Sequence, residues 1–401
     1  MENHIIFHID VNSAFLSWEA ADRLARGEEG PDLRDIPAIV GGDRERRHGV
    51  VLAKSVPAKK FGVRTGEPIA QALKKCPELT IVPPRRGLYE RCSAQFLSIL
   101  EQYSPNVEQY SIDEAFMDMT GMQELFGEPK ECAYQLKERI KRELGITVNV
   151  GISTNKLLAK MAGDLKKPDM VHTLFPSEIK QKMWPLPVED LLFVGRATAQ
   201  KLHLLGIHTI GELAVSDPRF LHTHLKSTGD MIWQFANGID DALVRREAPA
   251  AKGYSNETTL AHDVTDAREA KEVLLYLVEK VAVRLRQDGR RAEVVCVGLK
   301  DAWFVSMSHQ KVLPNPTSGT KELYGYACQL FDELWDGRPL RLLSFYVSRL
   351  TEDEMRQLQL FDTTDYEKQE KAERAMDAIR EKFGSDAIKR AVFLKPEQEE
   401  K

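Results

Sequence analysis

The chain has 401 residues, 42% of them hydrophobic and 29% charged. That is enough for two to four domains of roughly 100 to 200 residues, yet no apolar stretch approaches the roughly 18 residues of a membrane-spanning helix. The five cysteines (Cys76, Cys92, Cys132, Cys296, Cys328) are odd in number and never spaced C-x-x-C, which excludes a disulfide framework and a structural zinc site. Lys and Arg total 56 against 61 Asp and Glu, a net charge of -5 that taken alone counts against a nucleic-acid partner.

The start, Met1 to Trp18, has no basic leader and carries His8 and Asp10 inside its apolar run, so no secretory signal is expected and a cytoplasmic location is. Ile5 to Ile9 reads as a buried strand ending at Asp10, and Ser13 to Arg26 as a helix. Between Gly41 and Arg86, 11 Lys and Arg face only 4 Asp and Glu, a locally basic subdomain. Tyr89 to Tyr103 is spaced as an amphipathic helix. Val107 to Met119 then reads as a β-hairpin hinged on Ser111-Ile112-Asp113-Glu114, with carboxylates at its bend. Cys132 to Leu144 is helical, Thr147 to Ile152 a strand and Asn155 to Leu165 helical, which makes the chain to Lys167 an α+β unit.

After Lys167-Pro168-Asp169 the pattern changes to short helices punctuated by Gly195, Gly206 and Gly211, and Asp240 to Gly253 reads as an exposed linker. A second α+β unit follows. Its strands are Ser255 to Leu260, Ala292 to Lys300, Trp303 to Val312 and Leu340 to Leu350, and its helices Ala267 to Leu285 and Lys321 to Leu334. From Thr351 the chain is charged, with a helical pattern through Ala372, Met376, Ile379 and Phe383.

Asp10 closes one expected strand and Asp113-Glu114 the bend of a hairpin about a hundred residues on, so neighbouring strands could bring the three carboxylates together. Converging carboxylates repel unless cations sit between them, and hard oxygen ligands suit Mg²⁺. Two such ions can activate an attacking hydroxyl and stabilise a leaving phosphate. By spacing alone, a helix cap at Asp10 and a solvated acidic turn are the commoner use of such residues.

The stretch His8-Ile9-Asp10-Val11-Asn12-Ser13-Ala14-Phe15-Leu16-Ser17-Trp18-Glu19 resembles the opening signature of the Y-family translesion DNA polymerases, and the branch it is nearest to is the bacterial DinB-like one. Ala58-Lys59-Lys60-Phe61-Gly62-Val63-Arg64, Ser111-Ile112-Asp113-Glu114-Ala115-Phe116, Val150-Gly151-Ile152-Ser153-Thr154-Asn155-Lys156-Leu157-Leu158-Ala159-Lys160 and Lys166-Lys167-Pro168 match in the same order. The resemblance implies an α+β multidomain, right-hand polymerase. Its parts are a ferredoxin-like palm (1–12 and 83–172), small fingers (13–82), a helical thumb with a helix-hairpin-helix (173–240), a linker (241–253), an α+β little finger (254–350) and a C-terminal tail (351–401).

It also implies roles for single residues. Asp10, Asp113 and Glu114, with the Val11 carbonyl, would hold two Mg²⁺ ions while a primer 3′ hydroxyl attacks the α-phosphate of a dNTP. Lys167 and Lys59 would contact the triphosphate. Lys59 stands where most relatives carry Arg, which exchanges a bidentate fork for a point charge, and Val56 where most carry a Tyr. Phe15 would be the steric gate that excludes a 2′ hydroxyl by clash.

The segment Leu192 to Leu202, with Gly195, Arg196 and Thr198, resembles a helix-hairpin-helix that holds a DNA phosphate on backbone N–H groups, although Phe193 replaces its usual first glycine. Arg284, Arg286, Arg290 and Arg291 would contact DNA phosphates from the little finger. Gln357-Leu358-Gln359-Leu360-Phe361 resembles the peptide with which bacterial polymerases bind the sliding clamp, Gln357, Leu358, Leu360 and Phe361 being its recognition residues. The expected partners are therefore primer-template DNA, dNTPs and the clamp, with no membrane and a monomeric chain. No exonuclease motif is apparent, in keeping with a low-fidelity enzyme that does not proofread. The rivals are a catalytically silent scaffold binding DNA and the clamp, and a palm-fold nucleotidyl cyclase, which would need neither thumb nor clamp peptide.

Overall fold

The computed structural model describes residues 4–42, 49–247, 249–352, 365–384 and 387–393. Its first strand, β1 (Ile6–Val11), is buried at every residue, as an apolar run flanked on both sides by other strands must be. Then follow α1 (Ala14–Ala25), β2 (Ala38–Gly41), β3 (Val51–Lys54), α2 (Val56–Lys60), α3 (Ile69–Lys75), β4 (Thr80–Val82) and α4 (Arg86–Leu100). The expected hairpin is β5 (Val107–Gln109) with β6 (Glu114–Asp118), so Asp113 lies in the bend and Glu114 opens the returning strand. Next come α5 (Gln123–Phe126), α6 (Pro129–Leu144), β7 (Val148–Ser153), α7 (Lys156–Asp164) and β8 (Val171–Thr173).

These strands form a five-stranded sheet ordered β5-β6-β1-β7-β8, antiparallel except between β7 and β8. Helix α7 begins at Asn155, whose side chain accepts from the Leu158 N–H (2.9 Å), and it lies directly on β7. Gly151 permits that approach, because a Cβ there would fall 1.9 Å from the Ala159 carbonyl oxygen. A separate small core (Ile39, Val51, Val63, Ile69, Ala72, Leu79) underlies the sheet of β2, β3 and β4. A third core serves the short helices α8 (Ile179–Lys182), α9 (Arg196–Leu204), α10 (Ile210–Val215), α11 (Pro218–Leu225) and α12 (Ser227–Ala236).

The described residues to 247 form one compact unit, and those from 249 on a second. The stretch expected as an exposed linker from Asp240 is in part fastened to the first unit. Asp240 accepts from the Leu157 N–H (3.0 Å) at the start of α7, and the Arg245 N–H donates to Glu108 (2.8 Å). The first of these bonds satisfies a backbone N–H at the helix N-terminus that would otherwise need water.

The second unit contains β9 (Gly253–Val264), α13 (Ala267–Gln287), β10 (Arg291–Asp301), β11 (Ser306–Thr317), α14 (Thr320–Leu334), β12 (Leu340–Thr351) and α15 (Tyr366–Phe383). Its antiparallel sheet runs β11-β10-β12-β9. Alternate residues Val295, Val297 and Leu299 of β10 and Leu343, Phe345 and Val347 of β12 are buried in the core shared with α13 and α14, the two-residue period of a half-covered sheet. Trp303 to Val305, expected to begin a strand, instead form the turn before β11. The buried Asp301 carboxylate accepts from the Trp303 and Val305 N–H groups (both 2.9 Å) and holds them out of the ladder. All five cysteines are free. No helix among the described residues is long and apolar enough to cross a membrane.

Candidate active site

Antiparallel pairing sets Asp10 of β1 directly opposite Glu114 of β6, and the Val11 N–H donates to the Asp113 carbonyl (3.0 Å), so three residues far apart in sequence meet at one end of the sheet. A cavity of about 400 Å³ opens there, and Asp10, Val11, Phe15, Asp113, Glu114 and Lys167 all line it. From the segment between β3 and α3, Lys54, Val56, Lys59 and Thr65 line it as well. The six residues that the sequence assigned to metal, triphosphate and gate are joined in the cavity by Lys59, the seventh.

Two of the three carboxylates are neutralised by neighbouring lysines. Lys167 bonds Asp10 and also pairs with Asp164 (2.8 Å), while Lys160 from α7 donates to Glu114 Oε2 (2.6 Å). Burial pushes the Asp10 carboxyl above its ordinary value in spite of Lys167. Burial works the same way at Glu114, but there the His8 imidazole and the Lys160 ammonium outweigh it and hold the carboxyl at about 2. His8, 1% exposed, approaches Glu114 Oε2 at 3.5 Å, and neither of its ring nitrogens has a hydrogen-bond partner among the described residues. The Ser111 hydroxyl donates to Asp113 Oδ1 (2.6 Å) and fixes the remaining carboxylate in the bend.

A divalent cation suits this donor set, since every ligand offered is a hard oxygen and Asp10 is a buried carboxylate that added positive charge would ease into its ionised form. As the side chains stand, no group of three or more His, Cys, Asp or Glu among the described residues is placed to hold one, and Lys167 and Lys160 pair with Asp10 and Glu114.

Phe15 is half-buried and stacks on Tyr89 of α4 (centroids 4.6 Å apart, planes 19°), with Trp18 behind (6.0 Å). The Tyr89 hydroxyl donates to buried Glu19 (2.8 Å), and Arg85 grips Glu19 through its Nε (2.9 Å) and Asp22 through its Nη2 (2.7 Å). Phe15 thus rests on an aromatic shelf whose far end is fixed by charge. Sequence reasoning missed Tyr89, Glu19, Lys54 and Lys160. The charge of Lys160 was visible in the motif that carries it, but its partner lies 46 residues away.

At the expected phosphate-binding hairpin, Gly195 caps α9 without a side-chain bond, and Arg196 and Thr198 lie in its first turn. Phe193 adopts φ 68°, the left-handed conformation natural to glycine, so the turn keeps its backbone shape with an aromatic in place. Its ring meets that of Phe235 (5.8 Å).

The four arginines of the second unit divide. Arg284 lies over the Tyr254 ring (5.6 Å), and Arg290 pairs with exposed Glu352 (2.9 Å). Arg286 does not face solvent as a phosphate contact would. It is buried, bidentate to Asp377 of α15 (2.6 and 3.1 Å) and bonded to Glu373 (3.1 Å), while Arg291 pairs with Glu370 (3.2 Å). The acidic face of α15 needs counter-charges, and these two arginines supply them. Gln357, Leu358, Leu360 and Phe361 lie outside the described residues, as do Arg44, Arg46 and Arg47.

Comparison with known proteins agrees with this architecture. Models of the impB/mucB/samB family match residues 9–164, its C-terminal domain matches 251–360, and the family's HHH motif matches 176–207. The chain is 46% identical over 395 residues to DNA polymerase IV of Clostridium acetobutylicum, covering 98% of this chain and 99% of that one. It is 39% identical over 402 residues to DNA polymerase IV 2 of Bacillus subtilis, covering 98% and 95%. Among solved structures, a Y-family DNA polymerase chimera shares the fold with a TM-score of 0.75 at 22% identity, over 87% of this chain and 100% of the chimera. The chain therefore belongs to the impB/mucB/samB family, that of the Y-family DNA polymerases.

Proposed function

We propose that the protein is a DNA-directed DNA polymerase of the translesion class, which extends a primer with dNTPs on a template, with low fidelity and without proofreading. The observation that carries this reading is the single cavity onto which Asp10, Asp113, Glu114, Phe15, Lys59 and Lys167 converge. The family relatives named DNA polymerase IV support it along nearly the whole chain.

In this reading Asp10, Asp113, Glu114 and the Val11 carbonyl hold two Mg²⁺ ions, which supply Lewis acidity toward phosphate oxygens and favour the ionised form of the attacking hydroxyl. Phosphoryl transfer is mainly positioning and charge stabilisation, and the protein's own groups serve both. Lys59 and Lys167 balance the triphosphate, Lys167 exchanging Asp10 for phosphate. Phe15, backed by Tyr89, closes the space under the sugar. The palm is 1–12 and 83–172, the fingers 13–82, the thumb 173–240, the linker 241–253 and the little finger 254–350. The self-contained core of the second unit and the small core under the β2-β3-β4 sheet are consistent with a separate little finger and with part of the fingers. Gly195, Arg196 and Thr198 hold a backbone phosphate at the start of α9, Arg284 and Arg290 contact further phosphates, and the chain works as a monomer that meets the sliding clamp through 357–361.

Primer extension on a defined template with Mg²⁺ tests the reading. The parent is expected to extend the primer, and Asp113→Ala to fall by more than the roughly 100-fold that losing an outer partner of a metal site can cost. Extension by neither protein would leave the scaffold reading instead.

A further inference from the structure

The cavity holds more positive charge than Lys59 and Lys167 supply. Lys54, the last residue of β3, lines it too, and its ammonium donates to the Thr65 hydroxyl at 3.0 Å. Glu67, whose charge reaches Lys54, already has partners of its own. It accepts from Lys75 (2.5 Å) and from the Arg64 N–H (2.8 Å), and Lys167 is taken by Asp10 and Asp164. Among the described residues no carboxylate pairs with Lys54 or with Lys59. Burial, and next to it the Lys59 charge, push the Lys54 ammonium below its ordinary value, against a smaller opposing pull from Glu67. Two such ammoniums on one wall of a cavity of about 400 Å³ call for a polyanion.

We propose that Lys54 is a nucleotide-binding residue that contacts the triphosphate beside Lys59. This rests on the polymerase reading of the cavity and deepens it. Neither residue competes with the metal ligands for a carboxylate, so the pair is available to an incoming nucleotide before Lys167 has left Asp10.

Binding of tripolyphosphate and of dATP to the full chain without DNA, measured by calorimetry, tests it, together with KM and kcat for dNTP in primer extension. Lys54→Met is expected to weaken both ligands and raise KM roughly tenfold, with kcat within about twofold of the parent, the loss of one charged hydrogen bond. Thermal stability should be unchanged, since the hydrogen-bond partner lost among the described residues is a hydroxyl. Lys54→Arg, which keeps the charge, is expected to stay within about threefold of the parent. If Lys54→Met binds tripolyphosphate and dATP as tightly as the parent, or Lys54→Arg loses as much as Lys54→Met, the assignment of Lys54 fails while the polymerase reading stands. If the parent itself binds neither ligand at millimolar concentration, the nucleotide reading of the cavity falls, and the role of Lys54 with it.

Discussion

Arg286 offers a direct choice between two roles, because the sequence puts it among bases suited to DNA and the structure buries it under α15. All its nitrogens are used: Nε and Nη2 on Asp377 (2.6 and 3.1 Å), and Nη1 on Glu373 (3.1 Å), the Ser318 carbonyl (2.9 Å) and the Thr320 hydroxyl (3.1 Å). Its side chain is 6% exposed, and those of Glu373 and Asp377 are 9% and 15%. Replacing it by Met keeps much of the volume but leaves two carboxylates without their counter-charge. Removing one partner of a buried pair costs about 3–5 kcal/mol. That cost falls on the docking of α15, so amide hydrogen exchange over Tyr366–Phe383 in the full chain should accelerate by at least roughly 100-fold. Adding Glu373→Gln and Asp377→Asn to Arg286→Met should recover most of the protection, since the unpaired charges are then gone. A DNA role makes a different forecast: each phosphate contact contributes about 0.9 to the slope of log affinity against log salt concentration. If Arg286→Met leaves exchange in α15 unchanged and lowers that slope by about one, the structural assignment is wrong.

Two further tests address local geometry and the site's electrostatics. At Phe193, φ 68° costs an L-residue about 1–2 kcal/mol that glycine does not incur, while the ring contact with Phe235 returns about 0.5–1.5 kcal/mol. Phe193→Ala should therefore destabilise by about 1 kcal/mol in urea unfolding, and Phe193→Gly should be the more stable of the two variants; the reverse order would refute the strain argument. Glu114, held at about 2, contributes stability that is fully present above the unfolded carboxyl value of about 4.3 and is lost as pH falls through the folded one. The full shift corresponds to roughly 3 kcal/mol, and partial solvent access reduces this to about 1–2 kcal/mol. His8 supplies part of this, so Lys160→Met should be less stable than the parent at pH 7 by less than that amount and nearly equal to it at pH 2, and a difference that does not vary with pH would exclude the pair as its source.

The parts of this fold that were legible in the sequence are those encoded by local period. The apolar run ending at Asp10, the hairpin around Asp113 and the alternation in β10 and β12 are properties of adjacent residues, and the observed elements begin and end close to where those patterns do. Trp303 to Val305 misled because β-prone side chains outvoted a turn that depends on one buried carboxylate, Asp301. The carboxylate constellation was legible only through motifs, since strand pairing between Asp10 and Glu114 joins positions that spacing cannot relate. Its lysine partners and the Tyr89 shelf were not legible at all. Lys160 reaches Glu114 across 46 residues and Tyr89 reaches Glu19 across 70, and neither periodicity nor composition carries such a contact.

The same limit applies to charge. From Thr351 on, 10 Lys and Arg stand against 14 Asp and Glu, so the tail supplies -4 of the net -5 and the rest of the chain is nearly neutral. Read as a sum, the tail repels nucleic acid and the arginines of α13 and β10 attract it. Read in the structure, Glu370, Glu373 and Asp377 cancel Arg291 and Arg286 within the unit, which removes acids and bases from the surface together. Lys54 and Lys59, which pair with no carboxylate among the described residues, lie instead in the cavity of the first unit. What decides where a phosphate can bind is which charges the fold has left uncancelled, and here that points to this cavity more strongly than to the arginine cluster that composition favours.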